Sequence, residues 1–218
     1  PNPPRGPSRP WQRWATACYN LKMHVSRDLL TEFRAPAFPG SYFLSLEGIE
    51  GAGKSTQLVN LKKYLEERGL RTLVLREPGG TAFGERLRQA VLQSSVELHP
   101  LAEAHLFCSS RAQLLHEVVL KELAVPGTAV IMDRYLDSSL AYQGVARKLG
   151  AQTVLEMHRN FPLHLVPHMT FYLRISARVS MDRQRQRGLP QDYYESRGES
   201  FLESLVEGYE GAAQLLPQ

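Results

Sequence analysis

Apolar and polar positions along the chain follow two alternating periods. Short apolar runs of strand length occur at Tyr42–Glu47 (YFLSLE), 72–76 (TLVLR), Thr128–Asp133 (TAVIMD) and 169–175 (MTFYLRI). Between them lie longer stretches with helical spacing, at 54–68 (stopped by Gly69), 82–93, 100–123, 138–148, 153–160 and Ala177–Arg187. Strands joined by helical crossovers predict an α/β fold with a parallel sheet flanked by helices. No internal repeat interrupts this order.

The first 40 residues do not share the pattern. PNPPRGPSRP is rich in proline and arginine and predicts extended chain. A short helix is expected around 19–30, and RAPAFPGS reads as a linker. Residues 1–40 are thus expected to form an N-terminal extension, disordered or weakly helical, ahead of a domain at 41–218. An Arg-rich, acid-poor start has the composition of an organellar transit peptide, or of an extension with no role of its own.

Charge and cysteine content narrow the partners. The net charge of +4 comes from the start of the chain: residues 1–27 hold five bases and no acid, leaving 21 bases against 22 acids from residue 28 onward. The folded part is near neutral, so nucleic acid is not an expected partner. No apolar run is long enough to span a bilayer, so no membrane role is expected either. Two cysteines, Cys18 and Cys108, cannot build a disulfide framework, which suits a reduced, cytoplasmic setting. His164 and His168 have i,i+4 spacing, but Pro162 and Pro167 break any helix there and argue against a metal pair.

Gly48-Ile49-Glu50-Gly51-Ala52-Gly53-Lys54-Ser55 matches GxxxxGK[ST] without a mismatch, directly after a strand and opening a helix. Such a loop curls its backbone N–H groups inward around phosphate oxygens, and the helix N-terminus adds partial positive charge. With Thr56 it makes the expected ATP-binding segment. Lys54 supplies a cation for the β- and γ-phosphates, and the Ser55 hydroxyl is a ligand for Mg²⁺. The motif specifies phosphate binding, not the reaction.

Asp133 ends the third strand, where an open parallel sheet faces its ligand crevice. It is placed to bind Mg²⁺, with Arg134 beside it to grip phosphate. The plainer reading is a helix N-cap with Arg134 in a local ion pair.

Taken together, LEGIEGAGKST, REPGGT, LFCSSRAQL, DRYLDSSLAYQG and RQRQRG resemble the thymidylate kinase family of P-loop nucleoside monophosphate kinases, in its bacterial form, from about Tyr42 to the C-terminus. The resemblance implies a P-loop NTPase fold, a homodimer, and transfer of phosphate from ATP to dTMP with Mg²⁺. It implies that Glu50 accepts from the sugar 3′-OH and that Arg88 and Arg134 bind the monophosphate. Phe107 would stack on the pyrimidine, Arg111 would donate to its O4, and Ser139 and Tyr142 would line the base and sugar pocket. Taken singly, Phe107 also reads as a core aromatic and Arg111 as an ion pair; Glu77 and Pro78 read as an architectural turn.

Arg183, Arg185 and Arg187 alternate with glutamine and end at Gly188. They read as a solvated basic face or, by the resemblance, as a lid at about 183–199 that delivers arginine to the transferred phosphoryl group, with Arg197 a further candidate. The expected catalytic set is therefore Lys54, Asp133, Arg134, Arg183, Arg185 and Arg187. The resemblance also implies that the final strand and helix of the fold lie beyond YEGAAQLLPQ, so four strands are expected here. Another small-molecule P-loop kinase, or a nucleotide-dependent binding protein, stays open at this stage.

Overall fold

The computed structural model describes residues 23–187 and 193–216. The proline–arginine opening, Cys18 and the Gly188 end of the arginine segment lie outside the described residues.

Among the described residues, four strands form one parallel sheet: β1 (Tyr42–Glu47), β2 (Arg71–Arg76), β3 (Thr128–Asp133) and β4 (Met169–Tyr172), in the order β2-β3-β1-β4. The strongly apolar β3 sits inside the sheet, with Ala129, Val130, Ile131 and Met132 fully buried. An unbroken apolar run has no solvent-facing register, so it takes an inner position covered on both faces. Leu46 pairs with Asp133, so β1 and β3 end side by side at the same edge. That edge carries the site.

The crossovers are helical. α1 (Arg27–Leu30) precedes β1, α2 (Lys54–Glu66) follows it, and α3 (Ala82–Leu92) and α4 (Pro100–Leu114) follow β2. The last of these continues through a wide π turn at Leu115–Val119 into Leu120–Leu123. After β3 come α5 (Leu136–Ser139), a second π turn at Leu140–Ala146, and α6 (Ala151–Met157); α7 (Ala177–Arg187) follows β4, and α8 (Glu199–Leu215) packs across the second π turn. Among the described residues, no helix is long and apolar enough to cross a membrane.

Two readings of the sequence need correction. Residues 23–40 are not outside the packed domain. Leu29 and Phe33 are buried in the main apolar cluster with Phe43, Val166 and Leu155, and Ser26 Oγ caps α1 by accepting from Leu29 N–H. Arg34 bridges to Leu165, so the segment expected to be a linker is held by backbone pairing as well as by burial. The strand expected over 169–175 ends at Tyr172, because β1, its neighbour among the described residues, pairs no further than Glu47. His168 Nδ1 accepts from Phe43 N–H at 2.9 Å, a structural role at the start of β4.

Candidate active site

The loop between β1 and α2 turns back on itself through positive-φ glycines. At Gly48, with φ of 140°, a Cβ would lie 2.6 Å from the Leu173 carbonyl oxygen, so only glycine fits. Ile49 is buried in an apolar cluster and anchors the loop, and Ala52 is buried as well. Gly51, Gly53, Lys54, Ser55 and Thr56 line an open polar cleft with Asp133, Arg183 and Arg187. Lys54 Nζ donates to the Gly48 and Ile49 carbonyls at 3.0 and 3.3 Å, and burial pulls its pKa down to about 8. Gly48, Ile49 and Ala52 therefore shape the loop, while the others face the cleft.

Asp133 Oδ1 is buried and has no hydrogen-bond partner. An unpartnered buried carboxylate oxygen is costly, and here it lines the same cleft as Ser55. This donor pair, one carboxylate and one hydroxyl, suits a hard cation such as Mg²⁺ that keeps several waters. The N-cap alternative for Asp133 fails, since the residue before α5 is Tyr135.

Arg134 adopts φ of 74°, a left-handed conformation rare outside glycine. Glu47 fixes this kink: its carboxylate accepts from Tyr135 N–H at 2.6 Å and from Ser138 Oγ at 2.7 Å. Burial raises the Glu47 pKa to about 8, with the Asp137 carboxyl adding to the shift. The kink sends the Arg134 guanidinium across the loop, where it donates to Glu50 Oε1 (2.5 Å), the Gly48 carbonyl (2.9 Å) and Tyr209 Oη (2.5 Å). Beside Arg134, the Glu50 carboxyl is held down at about 2 and stays ionised.

REPGGT, with its neighbours, is a set of anchors. Arg76 pairs with Glu85 at 2.9 Å, Thr81 Oγ1 caps α3 by accepting from Gly84 N–H, and Arg88 donates to the Pro78 carbonyl. Glu77 is more than a turn residue. It is buried and accepts from Arg111 Nε at 2.7 Å and Nη2 at 2.5 Å. Burial pushes its carboxyl upward and the guanidinium opposes the shift.

A second, more apolar cleft adjoins the first. Glu50, Arg88, Phe107, Arg111, Arg134, Ser139 and Tyr142 all line it. Glu50, Glu77, Arg88 and Arg134 are common to both clefts, so two arginines and two carboxylates form the wall between them. Phe107 is half-buried, one turn before the fully buried Arg111 on α4. Arg111 is no surface ion pair.

The arginine segment divides. Arg183 donates to the Gly51 carbonyl at 2.7 Å and, with Arg187, faces the phosphate-loop cleft; Ser180 Oγ donates to the Glu50 carbonyl at 2.6 Å. Arg185 is exposed, pairs with Asp182 and lies outside both clefts, as helical spacing dictates. Arg197 donates to Tyr193 Oη at 2.6 Å and lies near Glu97, also outside both clefts.

Sequence reasoning assigned no role to Glu47, Ser138, Gln143, Tyr194 or Tyr209. Ser138 and Gln143 lie within the DRYLDSSLAYQG segment and line the apolar cleft, so the segment itself carries their signal. Tyr209 reaches Arg134 from α8, 75 residues away, with no local motif to mark it.

A phosphate loop leaving the central region of a parallel sheet, with an aspartate ending the adjacent strand, defines a P-loop NTPase fold. Comparison with known proteins narrows the class. The thymidylate kinase family profile matches residues 46–216. Over 167 residues the chain is 40% identical to a thymidylate kinase of Thermosipho africanus, covering 77% of this chain and 82% of that protein. Over 176 residues it is 40% identical to a thymidylate kinase of Deinococcus radiodurans, with coverage of 81% and 84%. The crystal structure of thymidylate kinase from Ehrlichia chaffeensis superposes with a TM-score of 0.63 at 26% identity, over 81% of this chain and 88% of that one. The chain belongs to the thymidylate kinase family.

Proposed function

We propose that this protein catalyses ATP + dTMP → ADP + dTDP, with ATP at the phosphate loop and dTMP in the adjoining apolar cleft. The observation that carries this reading is the shared wall: Glu50, Arg88 and Arg134 border both clefts, so two phosphates would meet there.

The acceptor is an ionised phosphate oxygen and needs no strong base. The new P–O bond forms to that oxygen as the bond to the ADP leaving group breaks, and catalysis consists of positioning and charge neutralisation. Lys54 and the loop amides hold the triphosphate. Arg88 and Arg134 hold the acceptor phosphate, and ionised Glu50 orients Arg134 and accepts from the sugar hydroxyl. Phe107 and Arg111, with Ser139 and Tyr142, receive the thymine and sugar. Arg183 and Arg187 face the transferred group, so they are better placed than Arg185 for that role. Ser55 and Asp133 would hold Mg²⁺, which supplies countercharge to the phosphates when bound. A homodimer belongs to the same reading and rests on the family resemblance; a cytoplasmic setting rests on the low cysteine content.

The test is coupled ADP release with dTMP, dUMP, UMP, CMP and AMP as acceptors. Highest kcat/KM with dTMP is expected. Preference for another monophosphate, or ATP binding without transfer to any, would overturn the assignment.

A further inference from the structure

His158 caps the C-terminal end of α6 and is buried. Its Nδ1 lies 2.7 Å from the Val154 carbonyl oxygen, and its Nε2 lies 2.7 Å from Arg111 Nη1. A carbonyl oxygen can only accept, so Nδ1 carries the proton. A guanidinium can only donate, so Nε2 presents its lone pair. Both contacts are satisfied by one neutral tautomer. Burial, reinforced by the Arg111 charge, depresses the His158 pKa to about 3, so the ring stays neutral in the ordinary pH range.

Arg111 is thereby held on three sides. Glu77 accepts from Nε and Nη2, His158 accepts from Nη1, and the Tyr135 ring lies 4.7 Å from the guanidinium carbon. These bonds use three of the roughly five N–H donors of a guanidinium. The other donors remain on an edge whose rotation Glu77 and His158 fix together, in a residue that lines the apolar cleft. Glu77 alone contacts Arg111 through one carboxylate oxygen, Oε2, which leaves the fork free to pivot.

We propose that His158 is a positioning residue that sets the Arg111 guanidinium to donate toward a ring carbonyl, and so favours a 4-oxo over a 4-amino pyrimidine. The proposal rests on the dTMP reading above. A 4-oxo ring offers an acceptor to the fixed donors, whereas a 4-amino ring would oppose donor to donor and leave buried N–H groups unpaired.

The test uses the full chain with His158→Leu, which removes the acceptor, and His158→Gln, whose amide oxygen can replace Nε2. In His158→Leu, KM for dTMP should rise about tenfold or more, the scale of one misdirected charged hydrogen bond. The preference for dTMP over dCMP should fall by a similar factor, while kcat and KM for ATP stay within about twofold of wild type. His158→Gln should recover most of the dTMP affinity. If His158→Leu does not fold, His158→Asn, whose shorter amide falls short of Arg111, replaces it with the same expectation. Wild-type KM in the leucine or asparagine variant would overturn the proposal. So would parallel losses in kcat and in KM for both substrates, which mark a merely structural role. A wild-type chain that fails to phosphorylate dTMP would overturn the functional reading as well, so the two failures are distinguishable.

Discussion

Replacing Glu77 with alanine probes the buried ion pair on which the apolar cleft is built. The partner side chains are 2% and 4% exposed, and the closest N–O distance is 2.5 Å. Without the carboxylate, the Arg111 guanidinium would keep the His158 nitrogen as its acceptor while staying almost wholly buried at the wall of the apolar cleft. Removing one member of such a pair costs about 3–5 kcal/mol, because the remaining charge stays buried. For a domain of this length that corresponds to a fall in Tm of roughly 6–20 °C. The assay is thermal and urea unfolding without nucleotide, comparing wild type, Glu77→Ala, Arg111→Leu and the double variant Glu77→Leu with Arg111→Leu. The double variant should be more stable than Glu77→Ala, since it removes the stranded charge as well, but it should bind dTMP poorly. A Glu77→Ala protein within about 1 kcal/mol of wild type would mean that no charge is stranded, because an exposed pair is worth no more than that.

Three further outcomes are expected. Lys54→Ala should lose most turnover while dTMP binding, measured by calorimetry, survives; near-wild-type turnover would refute its role at the triphosphate. Gly208→Ala should destabilise the chain by about 1–3 kcal/mol in urea titrations, because the new Cβ would lie 2.6 Å from Ala141 Cα, backbone that cannot swing aside. The His158 pKa falls from 6.5 in the unfolded chain to about 3 when folded. Between those values the unfolded state holds a proton that the native state lacks, so stability is lost as pH falls through that window. The stability difference between wild type and His158→Gln should therefore shift against wild type by about 1.4 kcal/mol per pH unit below pH 6, and a pH-independent difference would contradict the assignment of a neutral ring.

Much of this architecture was legible in the sequence because its signals are local. Tyr42–Glu47 and Thr128–Asp133 show their strands through residue choice alone, and the glycine loop falls where a strand meets a helix. Phe107 and Arg111 were harder. Their spacing says only that they share a helix face; their position in the cleft beside Glu50 depends on how α4 packs against α3 and the second π turn. The least legible features depend on partners distant in sequence. Nothing around Tyr209 signals that its hydroxyl meets Arg134, and nothing around His158 signals that it meets Arg111. The burial of Leu29 and Phe33 is hidden for the same reason: a proline- and arginine-rich start argues for an extension outside the domain, whereas packing against Phe43 and Val166 decides the outcome. Composition groups Arg185 with Arg183 and Arg187, but helical spacing alone already sets it off their face, and it pairs with Asp182 away from the cleft.

In the proposed reaction two nucleotides meet across the wall formed by Glu50, Arg88 and Arg134, and a crystal structure of the chain with dTMP and a non-hydrolysable ATP analogue is the decisive test. The thymine is expected against Phe107 with its O4 at Arg111, the acceptor phosphate at Arg88 and Arg134, and the triphosphate in the Gly48–Ser55 loop. Thymidylate bound elsewhere, with Phe107 and Arg111 packed against protein alone, would contradict this arrangement.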